Sequence, residues 1–287
     1  MASRFATRVI ERKKVEQMPT EEGTSCKLLN VKQPGTREIW AIGGKYIHKN
    51  RGFFSGSQLE AANLEIVRAQ TTIPCPNILA TWREDDRLLS IEERLVGKSL
   101  ENIFFDVTSE DISRIGHQLG CFLPQLRKVT SPTMSNVDGS PVVDFRLFKP
   151  LNDSVAATLK YEACQTDDDV RRQLSYAIMD TLNSTQLKAF MERMPSAKPF
   201  TFSHADIHAG NIMVNNGNFV ALIDWELAGF YPVWWDFVNG NAAICDMFPP
   251  ELKYADALEW FTVYHAVREH PKEQATAHKL NSYMGWP

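Results

Sequence analysis

The chain has 287 residues, of which 44% are hydrophobic and 23% charged, a composition typical of a globular protein rather than a disordered one. Its formal net charge of −4 argues against a nucleic-acid-binding protein, which normally needs a basic surface. The sequence contains no run of about 18 apolar residues, the length needed to span a membrane. The length allows two domains, or one domain with two lobes.

The first third of the sequence combines short strands with one helix. Residues 1–30 are polar, and we expect a loose helix or a flexible arm there. The pair Gly43-Gly44 separates two strand-like runs and predicts a β-hairpin. Between Gln58 and Gln70 the apolar residues fall at helical spacing, which predicts a helix. Strands are predicted at residues 37–42, 45–49, 78–82 and 87–92.

After Gly97 the pattern becomes mostly helical. The apolar residues between Ile112 and Leu126 step by three and four positions, which predicts an amphipathic helix that Pro124 bends. Further expected features are a helix at 169–180, a helix at 184–194 capped by Ser184, and a carboxy-terminal helix with Leu258, Phe261 and His265 on one stripe.

These elements together predict an α+β protein with two unequal lobes. The amino-terminal lobe, residues 1–96, would be a small antiparallel sheet with one main helix. The carboxy-terminal lobe, residues 97–287, would be larger and mostly helical. A junction between two lobes is a common place for a ligand to bind.

Polar side chains gather around a second predicted hairpin, whose strands are residues 212–214 and 219–223. The loop before the hairpin and the end of its second strand carry His204, Asp206, His208, Asn211 and Asp224. Because a tight turn returns the second strand beside the first, we expect Asp206 and Asn211 to lie near Asp224. Carboxylate and amide oxygens are the ligands that Mg²⁺ prefers, with phosphate oxygens and waters completing its coordination.

The same residues allow two other interpretations. Each Asp or Asn alone could be a turn or cap residue, although H-x-D-x-x-x-x-N followed by two apolar runs and I-D-x-E is a far rarer combination. His204, Asp206 and His208 could instead hold zinc or iron, since alternate residues of a strand share a face. Gly210 and Asn211 argue against an extended strand at this point.

The segment from His204 to Pro232 resembles the aminoglycoside phosphotransferase family, within the protein-kinase-like fold. The matching residues read HADIHAGN at 204–211 and IDWELAGFYP at 223–232, and they are most similar to fungal members of that family. Upstream, VDGSP at 137–141 and DFRL at 144–147 resemble a further motif of those proteins. The resemblance implies a bilobal kinase-like fold and an enzyme that transfers phosphate from ATP or GTP to a small-molecule hydroxyl.

The resemblance also assigns roles to the residues of the motif. It implies that Asp206 accepts or orients the proton of the substrate hydroxyl, and that Asn211 and Asp224 hold Mg²⁺ against the nucleotide phosphates. For His204, His208 and Glu226 two roles stay open. Each could support the ligating residues or contact a substrate that could be cationic. For His204 we expect support of the loop by hydrogen bonds rather than a role as a base.

In the amino-terminal lobe the resemblance points to the nucleotide site. Lys49 ends a predicted strand and Glu60 begins the following helix, which is the order of the kinase ion pair that reaches the α- and β-phosphates. Lys45 is the competing lysine, because alternation places it on the same face of the strand. The backbone groups of Glu93 and Leu95 would pair with the nucleobase at the hinge between the lobes.

Some features depart from the family pattern. The chain lacks G-x-G-x-x-G at its first strands, where Gly35, Gly43 and Gly44 do not form that pattern. Ala205 stands where the family usually has Gly, and the absence of A-P-E after Asp224 argues against a protein kinase regulated by loop phosphorylation. Two alternative functions therefore stay open: an inactive kinase-like binding protein, and an enzyme that uses a nucleotide in the same cleft for different chemistry.

The five cysteines bear on the compartment. They are spread along the chain without a Cys-x-x-Cys pair, which indicates neither a disulfide framework nor a thiolate zinc site. The first ten residues lack the apolar region of a secretory signal. We therefore expect a cytoplasmic protein whose partner is a small-molecule substrate, and the sequence predicts no particular oligomeric state.

Overall fold

The computed structural model describes residues 26–31, 37–54, 56–142, 144–148, 161–240, 244 and 246–286. The strands are β1 (Cys26–Val31), β2 (Arg37–Ile42), β3 (Tyr46–Gly52), β4 (Ile78–Glu84), β5 (Arg87–Glu93), β6 (Lys98–Ser99), β7 (Thr130–Ser131), β8 (Phe200–Ser203), β9 (Ile212–Asn215), β10 (Asn218–Leu222) and β11 (Gly229–Pro232). The α-helices are α1 (Glu60–Gln70), α2 (Ser109–Leu126), α3 (Asp167–Ser175), α4 (Ser184–Glu192), α5 (Trp235–Asn239), α6 (Ala255–Glu269) and α7 (Gln274–Met284).

The amino-terminal part is one antiparallel sheet of five strands, in the order β1-β2-β3-β5-β4. The predicted hairpin is confirmed, since β2 and β3 pair from Ile42 and Tyr46 outward across a turn in which Gly43 has a φ of 57°. The predicted helix is confirmed as α1. The expectation of an arm over residues 1–30 is wrong for residues 26–30, which belong to β1, and its remaining residues lie outside the described part of the chain.

Two small sheets organise the carboxy-terminal part. One has the order β10-β9-β6 and the other β11-β8-β7. The β9–β10 hairpin is confirmed, and its turn uses Asn216 at φ 49° and Gly217 at φ 69°, the pair of positive φ angles that the commonest two-residue hairpin turn requires. This hairpin carries the predicted catalytic loop at one end.

The long helix α2 matches the predicted amphipathic helix and begins at a capping box. Thr108 accepts a hydrogen bond from the backbone N–H of Asp111, and the Asp111 carboxylate accepts one from the N–H of Thr108. Its buried face includes Ile115, Leu119 and Leu123, at the spacing that the sequence gives. This face packs on the core beneath the hairpin and β8.

Two predicted helix details are wrong. The N-cap of α4 is Asn183 rather than Ser184, because the Asn183 side chain accepts from the backbone N–H of Gln186 and so leaves Ser184 inside the first turn. In α6 the buried stripe runs through Trp260, Tyr264 and Val267. His265 is exposed, since it lies one position past that stripe.

Aromatic residues fill the core of the carboxy-terminal part. Trp225, Trp234, Trp235 and Trp260 are fully buried. The indole of Trp234 donates to the carbonyl of Ser196, and that of Trp225 to the carbonyl of Leu222, so burying these two polar atoms leaves neither unpaired. The α+β architecture with a small sheet and a larger helical part is thus the predicted one. The lobe boundary at residues 96 and 97 stays a prediction.

Among the described residues, no helix is both long enough and apolar enough to cross a bilayer.

Candidate active site

The predicted catalytic loop leaves β8 at His204 and enters β9 after Asn211. His204 is fully buried, and burial lowers its pKa, which favours the neutral ring. Its Nδ1 accepts from the backbone N–H of Asp206 at 3.2 Å, and its Nε2 donates to the carbonyl of Ile223 at 3.0 Å. Both ring nitrogens are therefore engaged, and His204 ties the loop to the residue before Asp224. The zinc or iron site of His204, Asp206 and His208 is wrong for this reason.

Ala205 occupies a backbone conformation that favours glycine. Its φ is 63°, in the left-handed region that costs energy for residues with a Cβ. Its N–H donates to Asp236 at 2.8 Å, and its carbonyl accepts from Asn239 at 2.6 Å. Asp236 is buried and also accepts from Arg127 at 3.1 Å. The first turn of α5 thus fixes the backbone that precedes Asp206.

Asp206 lies between three donors. The guanidinium of Arg146 donates to Oδ1 at 2.8 Å, the amide of Asn211 donates to Oδ2 at 3.1 Å, and Nε2 of His208 lies 3.5 Å from Oδ2. Although burial opposes ionisation, the hydrogen bond from His208 and the charge of Arg146 lower the pKa of Asp206 to about 2. The carboxylate is therefore ionised at neutral pH and held in one orientation.

The tautomer of His208 follows from its neighbours. Its Nδ1 accepts from the backbone N–H of Gly210 at 3.0 Å, so the neutral ring carries its hydrogen on Nε2. That hydrogen faces the Oδ2 atom of Asp206. His208 is the more exposed of the two loop histidines, and it places a donor beside the carboxylate of Asp206.

The sequence prediction of the site does not include Arg146, although the D-x-R segment that contains it is part of the resemblance. Asp144 is completely buried and binds the guanidinium through two contacts, 2.9 Å from Nε to Oδ1 and 2.7 Å from Nη2 to Oδ2. Arg268, on α6, donates to the carbonyls of Phe145 and Arg146 at 3.1 and 2.6 Å. These bonds hold the segment in place, so that Arg146 reaches Asp206 across 60 residues of sequence.

The predicted metal ligands lie at adjacent places in the hairpin. The backbone N–H of Ile223 donates to the carbonyl of Asn211 at 3.0 Å, which places Asp224 next to the end of the catalytic loop. The amide nitrogen of Asn211 donates to the carbonyl and Oδ2 of Asp206, so its amide oxygen is the atom that could bind a cation.

Asp224 itself fits a cation. It has φ 69° and ψ 61°, and its Oδ1 is buried without a hydrogen-bond partner among the described residues. Although burial opposes ionisation, Lys49, Arg37 and Arg51 hold the pKa of Asp224 well below its usual range. An ionised carboxylate whose buried Oδ1 has no hydrogen-bond partner among the described residues is a hard oxygen ligand of the kind that Mg²⁺ prefers, and so is the amide oxygen of Asn211.

The lysine and glutamate predicted for the nucleotide site are brought together. Lys49 Nζ lies 3.3 Å from Glu60, 3.0 Å from Glu92 and 3.8 Å from Asp224, and the lysine is 3% exposed. Burial would lower the pKa of Lys49, but the surrounding carboxylates raise it, so the amine stays charged. The competing Lys45 is exposed in the β2–β3 turn.

Sequence reasoning missed Arg37, Arg51 and Glu92. Arg51 follows Lys49 by two positions on β3 and binds Glu60 at 2.7 Å and Glu226 at 2.6 Å. Strand alternation after Lys49 was a signal that could have pointed to Arg51. Among the described residues of the site, three cations face four carboxylates, and burial raises the pKa of one of these, Glu226, to about 7.

Glu226 is one of the three residues whose role the sequence leaves open. Its side chain is 12% exposed and contacts Arg51 at 2.6 Å and Arg37 at 3.4 Å. These contacts connect the I-D-W-E segment to the amino-terminal sheet. A second link runs from Asn63 on α1, whose amide donates to the carbonyl of Trp225 at 2.8 Å. Glu226 is therefore engaged in joining the two parts of the molecule.

At the expected hinge, the backbone groups are partly used by the fold. The N–H of Glu93 donates to the carbonyl of Asn77 at 2.9 Å, which leaves its carbonyl as the group that could face a ligand. The N–H of Leu95 has no hydrogen bond within the described residues. A cavity of about 720 Å³ lies elsewhere, between α2 and residues 246–251, and none of the site residues lines it.

Comparisons with known proteins agree with this geometry. The family model for APH, the phosphotransferase enzyme family, matches residues 51–270. Among solved structures, a thermostable mutant of aminoglycoside phosphotransferase APH(4)-Ia in ternary complex with AMP-PNP and hygromycin B has a TM-score of 0.57 and 15% identity, covering 92% of this chain and 96% of that one. ADP-bound APH(2'')-Ib has a TM-score of 0.51 and 12% identity over 91% of both chains.

A third structure is the streptomycin–ATP ternary complex of APH(2'')-IIa, with a TM-score of 0.52 and 12% identity over 91% of this chain and 90% of that one. No curated protein sequence matches the chain. At these identities the solved structures establish the fold, and the predicted kinase-like fold class is confirmed.

Proposed function

The chain belongs to the phosphotransferase enzyme family, and we propose that it transfers the γ-phosphoryl group of ATP to a hydroxyl group of a small molecule. The observation that carries this proposal is the ionised Asp206, held by Arg146 and His208 at the end of the hairpin that also bears Asn211 and Asp224. A fixed carboxylate next to a metal-binding pair is the arrangement that phosphoryl transfer needs.

Asp206 acts on the acceptor. The oxygen of the acceptor hydroxyl forms a bond to the γ-phosphorus while the bond from that phosphorus to the β–γ bridging oxygen breaks, which releases ADP. The hydroxyl proton passes to Asp206. A carboxylate with a pKa of about 2 is a weak base, so Asp206 mainly orients the hydroxyl and receives its proton late, when bond formation has made it acidic.

The nucleotide site is assigned from the charged groups around Lys49. Lys49, positioned by Glu60, would bind the phosphates, and the carbonyl of Glu93 and the N–H of Leu95 would bind the base. When bound through Asn211 and Asp224, Mg²⁺ would neutralise charge that develops on the phosphates during transfer. The nucleotides in the similar solved structures, ATP, ADP and AMP-PNP, support ATP as the donor.

The acceptor is proposed as a small molecule with a hydroxyl group, and positively charged acceptors are the first to test. Two of the similar solved structures hold hygromycin B and streptomycin. Among the described residues around Arg146, the carboxylates of Asp144 and Asp206 outnumber its guanidinium, which favours a cationic acceptor over an anionic one.

The test measures transfer directly. The wild-type protein, Asp206→Asn and a control Asp168→Asn are incubated with Mg·ATP and hygromycin B, streptomycin or gentamicin, and the acceptor is examined by mass spectrometry for a gain of about 80 Da, the mass of one phosphoryl group. Asp168 is an exposed residue of α3. We expect Asp206→Asn to lower turnover by about 10²- to 10⁴-fold and the control to leave it unchanged.

Nucleotide binding separates the proposed function from its alternatives. Mg·ATP at 100 times its Kd should stabilise the wild-type protein and Asp206→Asn alike by about 2.7 kcal/mol. A wild-type protein that binds Mg·ATP but phosphorylates no acceptor would favour a binding protein, and equal turnover in Asp206→Asn would remove Asp206 from the mechanism.

A further inference from the structure

Arg37, the first residue of β2, contacts the proposed metal ligand. Its Nη2 lies 2.6 Å from Oδ2 of Asp224 and its Nη1 lies 3.4 Å from Oε1 of Glu226. The two residues are 187 positions apart in sequence, so this contact joins the sheet to the end of the β9–β10 hairpin. The Nε of Arg37 is buried and has no hydrogen-bond partner among the described residues.

The contact occupies a ligand atom. A guanidinium 2.6 Å from Oδ2 takes the position from which that oxygen would bind a metal ion. Oδ1 of Asp224 has no hydrogen-bond partner among the described residues, and its contacts with Arg51 and Lys49 are longer, at 3.7 and 3.8 Å. In this state Arg37 neutralises Asp224. A cation that binds both oxygens of Asp224 must displace the guanidinium, and the displaced charge then needs another anion close by.

Arg37 differs from the two other cations of the site. Lys49 and Arg51 are 3% and 4% exposed and lie 3.8 and 3.7 Å from Oδ1 of Asp224. Each is paired more closely with Glu60 and with one further carboxylate that no ligand would remove. Arg37 is 19% exposed, and its shorter contact is with the one carboxylate proposed to bind the metal. Glu226 offers little compensation, since Arg51 lies 2.6 Å from its other oxygen.

We propose that Arg37 is a phosphate-binding residue, which pairs with Asp224 in the nucleotide-free protein and moves to the nucleotide polyphosphate when Mg·ATP binds. The proposal rests on the proposed function. A guanidinium presents several N–H groups in a fixed fork that matches two phosphate oxygens, and Arg37 already has one such group, Nε, without a partner. The chain has no G-x-G-x-x-G segment before its first strands. A side-chain donor would therefore bind the phosphates that backbone amides of a glycine-rich loop bind in kinases that have one.

The exchange of partners predicts two effects of opposite sign. Removing the guanidinium takes a donor from the phosphates, so affinity for ATP falls. It also frees Oδ2 of Asp224, so affinity of the nucleotide-free protein for a divalent cation rises. A residue that served only to hold the two parts of the molecule together would change the binding of ATP and of adenosine alike and would not strengthen cation binding.

The experiment compares Arg37→Met and Arg37→Lys with Arg83→Met, which removes an exposed cation from β4 of the same sheet. Calorimetric titrations with Mg·ATP and with adenosine measure the nucleotide affinities, and titration of the nucleotide-free proteins with Mn²⁺, followed by electron paramagnetic resonance, measures the cation affinity. We expect Arg37→Met to bind Mg·ATP about 10- to 100-fold more weakly, adenosine equally and Mn²⁺ more tightly. Arg37→Lys should recover part of the ATP affinity, and Arg83→Met should match the wild type.

Each alternative result has a distinct meaning. Equal Mg·ATP affinity in Arg37→Met and the wild type overturns the inference while the proposed function stands. A parallel loss of ATP and adenosine affinity also overturns it, because it shows a structural role. Absence of nucleotide binding in the wild type overturns both the proposed function and this inference.

Discussion

Replacing Arg146 by Met tests whether the guanidinium that fixes Asp206 is needed for turnover as well as for folding. The change removes two contacts to Asp144 and one to Asp206. Asp144 is completely buried, and the backbone N–H of Arg146, at 2.9 Å, is then its remaining donor at this segment. A buried carboxylate without its counter-ion is strongly destabilising.

The magnitude follows from burial. Removing one partner of a buried ion pair costs about 3–5 kcal/mol, and because Arg146 is itself 22% exposed we take the lower end, about 3 kcal/mol. At about 2–4 °C per kcal/mol for a protein of this size, the melting temperature of Arg146→Met should fall by about 6–12 °C. Urea denaturation and a thermal melt measure the two quantities.

A double variant separates stability from catalysis. In Asp144→Asn/Arg146→Met the uncompensated charge is gone, so most of the lost stability should return. Turnover should stay about 10- to 100-fold below wild type, because Asp206 has still lost the donor that orients it. The control Arg172→Met removes an exposed ion pair with Asp169 and should leave both properties unchanged.

Two results would refute the reasoning. A single variant Arg146→Met as stable as the wild type would show that Asp144 does not depend on its counter-ion. A double variant that regains turnover together with stability would show that Arg146 serves the fold alone and does not position Asp206.

Two further predictions concern the backbone and pH. Gly97 has a φ of 122°, and a Cβ there would overlap the carbonyl oxygen of Val214. Gly97→Ala should therefore lower the free energy of unfolding, measured by urea denaturation, by at least about 2 kcal/mol. In the control Gly44→Ala the added Cβ would have no atom within 4 Å, so the stability should change little. Because the folded state lowers the pKa of Asp206 from 3.8 to about 2, its ionisation stabilises the protein above about pH 4, and this contribution is lost as the pH falls towards 2. Denaturation at stepped pH should therefore show a shallower acid loss in Asp206→Asn, by about 1–2 kcal/mol, and identical slopes would contradict the pKa argument.

Local patterns in the sequence determined much of the fold. Gly43, Asn216 and Gly217 adopt the positive φ angles of the two tight turns, so the sequence predicts both hairpins without any tertiary contact. Helical spacing likewise identified α1 and α2. The errors fall where one position decides the outcome, as with the cap at Asn183 or the face of His265, because several adjacent residues satisfy the local pattern equally well.

In the candidate site too, the residues that are close in sequence could be predicted from the sequence. His204, Asp206, Asn211 and Asp224 lie within one hairpin and its preceding loop, and the geometry of a hairpin brings its two ends together, so the sequence alone predicted their proximity. The order of Lys49 and Glu60 on a strand and the next helix predicts their pairing only together with the resemblance carried by residues 204–232.

The tertiary structure alone decided how the charges of the site are balanced. Arg37 meets Asp224 across 187 residues, Arg146 meets Asp206 across 60, and Arg51 joins Glu226 to the amino-terminal sheet. No local periodicity encodes such pairs, because each forms only when two separately folded elements pack together and remove both charges from water. A buried charge without a partner is strongly destabilising, so each carboxylate is paired with the arginine that the packing brings next to it. No sequence motif determines this pairing.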